Sequence, residues 1–312
     1  MPTMAKWMLV VIIAALGGGM LFWMQRMSDR AAEHRELPRW GYIDRSGAFV
    51  IEPAYHIAAD FFEGRAAVRV GHNTGFINRE GELVIQPRFE AAGDFSQGLA
   101  PVSVRGRAGY IDRHGMFAIN PNFMTAGPFS EDLGLVSIEG RYGYIDKDGN
   151  FVIEPRFEHA APFSEGLAPA GEPGELLGYI DKEGEWVIEP RYAVAGRFSG
   201  GVARVHEPDS PGRYINREGE TVIEEGGFEA VSFFSEGLTP VRIDERLGYM
   251  NRDGEIVIEP RFGRASQFAE GLAAVRRDGM FGYIDKEGEW VIAPQFTRAR
   301  PFSEGLARVQ AP

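Results

Sequence analysis

Three sets of residues in this chain have types and spacings that could do chemistry. The first is Asp146-Lys147-Asp148-Gly149-Asn150, where side-chain oxygens at alternate positions could converge on a hard cation as a calcium loop does. The rest of a calcium ligand set is missing, and Asp or Asn opens the same turn in every copy, so a turn is expected there and a metal is not. The second set is acidic. Glu131, Glu165, Glu236, Glu270 and Glu304 stand in stretches of the form Phe-Ser-Glu-Gly, and Glu52, Glu154, Glu189 and Glu259 precede proline. Carboxylate pairs held several ångströms apart can hydrolyse glycosidic bonds. Catalysis needs one site unlike its copies, however, and acids that recur once per repeat read as solvated or conformational. Their basic neighbours, as in Glu154 with Arg156 and Glu259 with Arg261, are expected in surface ion pairs worth under about 1 kcal/mol each.

The third set is the six histidines, His34, His56, His72, His114, His159 and His206, which hold no close metal-ligand spacing. Nucleophile elbow, phosphate loop and dinucleotide fingerprint are all missing from the sequence. No catalytic, cofactor or metal residue is therefore expected, and the chain reads as a non-enzyme.

The elements that must position these residues are copies of one hairpin. Gly143-Tyr-Ile-Asp-Lys-Asp-Gly-Asn-Phe-Val-Ile-Glu-Pro155 recurs from Gly41, Gly75, Gly109, Gly178, Arg213, Gly248 and Gly282, eight units at steps of 34 or 35 residues. Asp or Asn at 44, 78, 112, 146, 181, 216, 251 and 285 opens each turn, where its side chain can accept a backbone N–H two residues on. A glycine three residues later suits the left-handed position of a type I turn with a bulge. Proline then stops the strand. A pattern Phe-x-x-Ala-x-x-Phe comes next, as at Phe157, Ala160 and Phe163, with Val231 breaking the small position in one copy. Spacings of three and three fit neither a flat strand nor a long helix, so a kinked connector with two core aromatics is expected. A Ser-Glu-Gly turn then starts another strand, Leu167 to Ala170.

Ahead of the repeats, Trp7 to Met24 carries no charge and at about 1.5 Å per residue reaches roughly the thickness of a bilayer core. A membrane anchor over residues 1–24, with its span at 7–24, is expected in preference to a cleaved signal peptide, because the apolar run continues past Gly17 and no small-x-small site comes after it. Ala14 with Gly18 and Ala15 with Gly19 have the small-xxx-small spacing that allows weak dimerisation of the span. Residues 25–39 form a polar tether. Arg26, Arg30, Arg35 and Arg39 favour an internal repeat domain by charge count, whereas short N-terminal spans commonly export the domain behind them; export is the expectation, giving a single-pass protein of the bacterial inner membrane. Anchor and tether hold five basic and three acidic residues, so the totals of 33 and 45 leave 28 and 42 on residues 40–312, a net of −14 that disfavours a nucleic-acid partner. The chain has no cysteine, which excludes disulfides.

The first copy of the motif, Trp40-Gly41-Tyr42-Ile43-Asp44, resembles the WG-repeat (KWG) family, and the likeness runs from 40 to 310. Gly178, Tyr179, Ile180, Asp181, Gly184, Val187, Ile188, Pro190, Tyr192 and Phe198 trace the motif in the fifth unit, although Trp itself survives only at 40. The resemblance implies a bacterial repeat scaffold or binding module with no known reaction. The fold expected is all-β and closed: the first unit lacks the Leu-Ala-x-Val strand on which the chain ends, so Leu306 to Val309 could pair beside Gly41 to Asp44 and complete a β-propeller-like ring. An open β-solenoid is the alternative. Two units depart from the pattern. Asp132 replaces a turn glycine in the third; the sixth has a longer loop, His206 to Gly212, with Arg213 for Gly and Glu225 for Pro. The function expected is a membrane-tethered module that binds a protein or cell-envelope polymer through its loops. A glycan-directed hydrolase using acids at the ring centre and a purely structural spacer are the alternatives.

Overall fold

The computed structural model describes residues 38–312 apart from Glu225, Gly227 and Val231. The expected anchor and all but the last two residues of the tether lie outside the described residues, as do Val231 and Glu225. Among the described residues no helix is long and apolar enough to cross a membrane.

Eight antiparallel sheets succeed one another around a closed ring, and no helix interrupts them. A representative sheet runs His159–Ala160, Ala168–Gly171, Leu177–Ile180 and Trp186–Tyr192, each strand pairing only with its sequence neighbours. The kinked connector expected after each proline thus contains a strand. Its residues His159 and Ala160 pair with Gly171 and Ala170, and the three-three spacing records an outermost strand ending, a turn, and a two-residue first strand beginning. In the sheet that starts near residue 58 this strand shrinks to a single bridge, Ala58 to Val68.

The sequence repeat and the sheet are out of step by two strands. Each repeat supplies the third and fourth strands of one sheet and the first two of the next. The last sheet is therefore completed across the ends of the domain: Leu306–Gln310 pairs with Trp40–Ile43 in the register Trp40 to Gln310 through Ile43 to Ala307. The ring closes where the sequence placed the closure.

Two glycines per repeat answer to geometry. Third and fourth strands approach so closely behind a pair of register shifts that a Cβ on Gly143 would stand 2.6 Å from the Ile153 carbonyl oxygen. Arg213 is tolerated at this place in the sixth repeat because its strand pairs straight across to Glu224 without the first of those shifts. Gly149 closes the hairpin turn at φ 87°, while Asp146 Oδ1 accepts the N–H groups of Asp148 at 3.0 Å and Asn150 at 2.8 Å.

The core lies between sheets rather than within them. Strand alternation sends the two faces of each sheet against its two neighbours, and the apolar residues gather in eight clusters, each shared by two sheets. At every interface a third-strand aromatic meets the phenylalanine that precedes the turn between the next sheet's first and second strands. Tyr144 with Phe163 is one example, and the ring centroids lie 4.8–5.1 Å apart in all eight. Such pairs contribute about 0.5–1.5 kcal/mol beyond their buried area. The tyrosine hydroxyl then donates to the backbone carbonyl just past that first strand, as Tyr144 does to Ala161 at 2.8 Å and Tyr249 to Ser266 at 2.7 Å. Burial pushes these hydroxyls well above the usual tyrosine range.

First strands face the ring axis and fourth strands the rim. Gln267 donates to Ser232 at 2.7 Å, and Arg197 lies 5.7 Å from the Phe233 ring centre, contacts that run directly from one first strand to the next. On the fourth strands, Val152, Val187 and Val257 are about half exposed.

Candidate functional site: a girdle of carboxylates and an axial acid pair

Antiparallel connectivity places the first-to-second and third-to-fourth turns of every sheet on one face of the ring, and the remaining loops on the other. On the first of these faces the Ser-Glu-Gly glutamates and Gln97 form a belt of seven links around the eight turns. Gly166 N–H donates to both Glu131 oxygens at 3.2 and 3.0 Å, Gly98 to Glu63 at 3.2 and 3.0 Å, Gly271 to Glu236 at 3.3 and 3.0 Å, and Gly305 to Glu270 at 3.1 and 3.0 Å. Glu165 takes the N–H groups of Gly200 and Gly201, and Glu304 closes the circle by accepting from Gly64 at 2.8 Å. Gln97 makes the same link through its amide oxygen, accepting from Asp132 at 3.0 Å. Beside six of the eight turns a serine reinforces the link: Ser130 Oγ donates to the Phe163 carbonyl at 2.7 Å and Ser164 Oγ to that of Phe198 at 2.7 Å.

These glutamates lie in the left-handed region, with φ of 53° at Glu131, 56° at Glu165 and 54° at Glu270. An L-residue there is strained by about 1–2 kcal/mol. A charge-assisted hydrogen bond contributes about 1.5–3 kcal/mol where solvent is excluded, so the link to the next sheet offsets the strain. A second tier of charge completes the belt. The residue after each turn-opening Asp or Asn is Arg or Lys in all eight copies. Lys182 Nζ reaches Glu131 at 3.3 Å, Arg113 reaches Glu63 at 2.8 Å, and Lys286 reaches Glu236 at 3.0 Å. Partial burial pulls the Glu63 and Glu236 carboxyls upward, but hydrogen bonds from Arg113 and Gly98, and from Lys286 and Gly271, leave both below the usual range.

This basic position was missed in the sequence. Its signal was available, because Arg45, Arg79, Arg113, Lys147, Lys182, Arg217, Arg252 and Lys286 are uniformly cationic. The expected pairs Glu154 with Arg156 and Glu259 with Arg261 are corrected. Arg156 instead donates to the Gly184 carbonyl of the next sheet's turn, covers Phe157 at 4.8 Å and approaches Glu172 at 3.7 Å, and Arg261 donates to Gly288 at 2.5 Å. Glu154 shares a face of the outermost strand with Arg156, but the guanidinium is drawn to the neighbouring sheet instead. Glu52, Glu154, Glu189 and Glu259 stand exposed on the rim strands, at the opposite edge of their own sheets from the axial strands.

One cluster has no copy elsewhere. Asp60 and Asp94 occupy equivalent places beside two neighbouring first strands. Arg308, from the closing strand, donates to Asp60 Oδ1 at 3.0 Å and lies 4.7 Å from the ring centre of Trp40. The single tryptophan of the motif thus stacks under the arginine that ties the last strand to the start of the neighbouring sheet. Burial pushes Asp60 up, with Arg308 and Arg300 opposing; burial, and then the charge of Asp60, push Asp94 to about 6 despite Arg308. A carboxyl that titrates near neutrality beside an ion-paired one has the properties required of an acid–base pair. Among the described residues, no three His, Asp or Glu side chains are grouped to hold a metal ion.

A closed ring of eight sheets in sequence order, seven of four strands and one of three strands with a bridge in place of the first, defines a β-propeller repeat protein. The family model of the WG containing repeat matches eight consecutive stretches, from 40–71 through 142–171 to 281–311, and the chain belongs to that family. The chain matches none of the curated proteins with which it was compared. Among solved structures it is similar to the computationally designed Ika8 protein, with a TM-score of 0.53, 12% identity, and coverage of 82% of this chain and 95% of that one. It is also similar to a structure described as the eukaryotic initiation factor, with a TM-score of 0.54, 9% identity, and coverage of 85% and 87%. At these identities the likeness is one of fold alone.

Proposed function

We propose that the protein is a non-catalytic binding module, tethered to the membrane through residues 7–24, that holds a protein or a cell-envelope polymer on one face of its ring. The observation that carries this reading is the contrast between the two faces. On one, turn chemistry repeats from sheet to sheet and most of its charges are spent on inter-sheet bonds. On the other, equivalent loops differ in side chain and in length: Arg105-Gly106, Glu139-Gly140, Asp244-Glu245 and Asp278-Gly279 are two-residue turns at positive φ, whereas Glu172 to Leu176 and Glu207 to Gly212 are longer. Exposed apolar side chains join them there, Met124 and Val194 each 52% exposed and Ile57 54%. A scaffold with unlike loops at one end is how recognition is commonly carried on a rigid fold. The 18-residue uncharged run supports the tether.

The full-length protein in detergent, immobilised and exposed to solubilised cell envelopes, tests the assignment of faces. Met124→Asp and a shortened 207–212 loop should each release the retained component, and Glu131→Gln should not. Equal retention by all three variants sinks the reading. A topology reporter after Pro312 tests the tether and its orientation. The glycan-directed hydrolase rests on a single observation, the elevated Asp94 carboxyl beside Asp60. Turnover abolished by Asp94→Asn and kept by Glu131→Gln moves the assignment there.

A further inference from the structure

The glutamate belt has one broken link, and the break is chemically specific. Where seven turns carry Glu or Gln, the turn Ser199-Gly200-Gly201-Val202 carries glycine, so the N–H of Gly237 in the next turn has no carboxylate to meet. Everything else about that niche is retained. The bridges Ser199 to Val202 and Ser235 to Leu238 match Ser164 to Leu167. Gly237 has φ 89°, close to the 88° of Gly98 and the 78° of Gly271. Ser199 Oγ donates to the Phe234 carbonyl at 2.5 Å, fixing the two turns against each other as the other serines do. Arg252, the cation of this position, brings its guanidinium against Gly200, into the space that a Cβ there would occupy. Neither Arg252 nor the Gly237 N–H has a hydrogen-bond or ion-pair partner among the described residues.

We propose that this gap is a carboxylate-binding niche, and that it receives a carboxylate from a partner, either an acidic side chain or a chain terminus. The protein itself shows what fits: at Glu131 a carboxylate bridges the next turn's N–H and a cation, and here the N–H and the cation are present while the carboxylate is not. A backbone N–H and a guanidinium converging on one point favour an anion with two acceptor oxygens. The site lies on the face opposite the unlike loops, so it is independent of the reading above.

The test uses the full-length chain in detergent micelles, labelled with 15N-glycine and 13C-carbonyl glutamate so that only Glu–Gly amides are observed. N-acetylglutamate α-amide offers a side-chain carboxylate alone, and N-acetylglycine a terminal carboxylate alone. At least one of them should move the Gly237 amide downfield in a saturable way while Gly166 and Gly271, already bonded, stay in place; which one does so identifies the source. Arg252→Gln should weaken that response about tenfold or more. Gly200→Glu, which supplies the carboxylate from within the chain, should abolish it. No saturable movement of Gly237, a movement that sodium chloride at equal ionic strength reproduces, or one that survives Arg252→Gln unchanged, overturns the proposal. Arg252→Gln alters an exposed side chain, so it keeps the test decisive if Gly200→Glu does not fold.

Discussion

Replacing Glu131 by glycine, alanine and glutamine separates the two opposing energies assigned to the belt. Its carboxylate takes the Gly166 N–H at 3.0 Å and Lys182 at 3.3 Å, and its side chain is 28% exposed, so the low end of the charged-bond range, about 1.5 kcal/mol, is the appropriate loss. Alanine forfeits this bond and keeps the left-handed backbone at φ 53°. Glycine forfeits the same bond but escapes about 1–2 kcal/mol of strain, against which its greater freedom in the unfolded chain costs about 0.4–1 kcal/mol. The glycine variant is thus expected to be more stable than the alanine variant by roughly 0.5–1 kcal/mol, the reverse of the usual order in strands and helices. Glutamine keeps an acceptor, as Gln97 does toward Asp132, and is expected to lose under about 1 kcal/mol. Urea denaturation midpoints, with the slope checked for constancy, read all three differences, and in thermal melts each 1 kcal/mol is about 2 °C for a domain of this size. An alanine variant as stable as the glycine variant would refute the claim that strain at this residue is offset by its inter-sheet bond.

Three further outcomes concern the axial cluster and the tyrosines. Asp94→Asn should leave stability unchanged near pH 4 and raise it above about pH 6. The elevated carboxyl binds its proton more tightly when folded, so wild-type stability falls as pH rises from the unfolded value toward about 6 and stays lower beyond it; melting temperature against pH for both proteins checks the sign. Arg308→Met should cost about 2 kcal/mol or more by leaving Asp60 without its partner and Trp40 without its cation, and should speed proteolysis near residue 39. Tyr144→Phe, which removes one hydroxyl bond to the Ala161 carbonyl, should cost about 1 kcal/mol by denaturation, a loss the ring tolerates at Phe76, where the same place carries phenylalanine.

Much of the architecture was legible because the repeat period, the turn-opening Asp or Asn and the glycine after it are short-range signals. Closure was legible too, since a missing strand at one end matched a surplus strand at the other. The first strand of each sheet was not. In five sheets it has two residues, as in His159–Ala160, too few to show alternation, and it exists because a neighbouring strand offers it a ladder. The destination of Arg156 was equally hidden, for it depends on a turn 28 residues on being carried beside it by the curvature of the ring. Asp60, Asp94 and Arg308 lie hundreds of residues apart at the extreme and share no motif position that the other repeats keep acidic or basic. The charged belt was half legible: its glutamates were seen, but their partners were not, because the spacing of 35 residues between donor and acceptor is itself the repeat length.

The register of the closing pair has a mechanical corollary. Trp40 stands opposite Gln310 and Ile43 opposite Ala307, so residue 39 enters and residue 311 leaves at the same end of that ladder. Tension between a tether on one side and cargo fused to the other would peel its bonds one after another instead of loading them together. A load applied through the body of the ring would bypass this weak direction and meet the tyrosine-lined interfaces side-on.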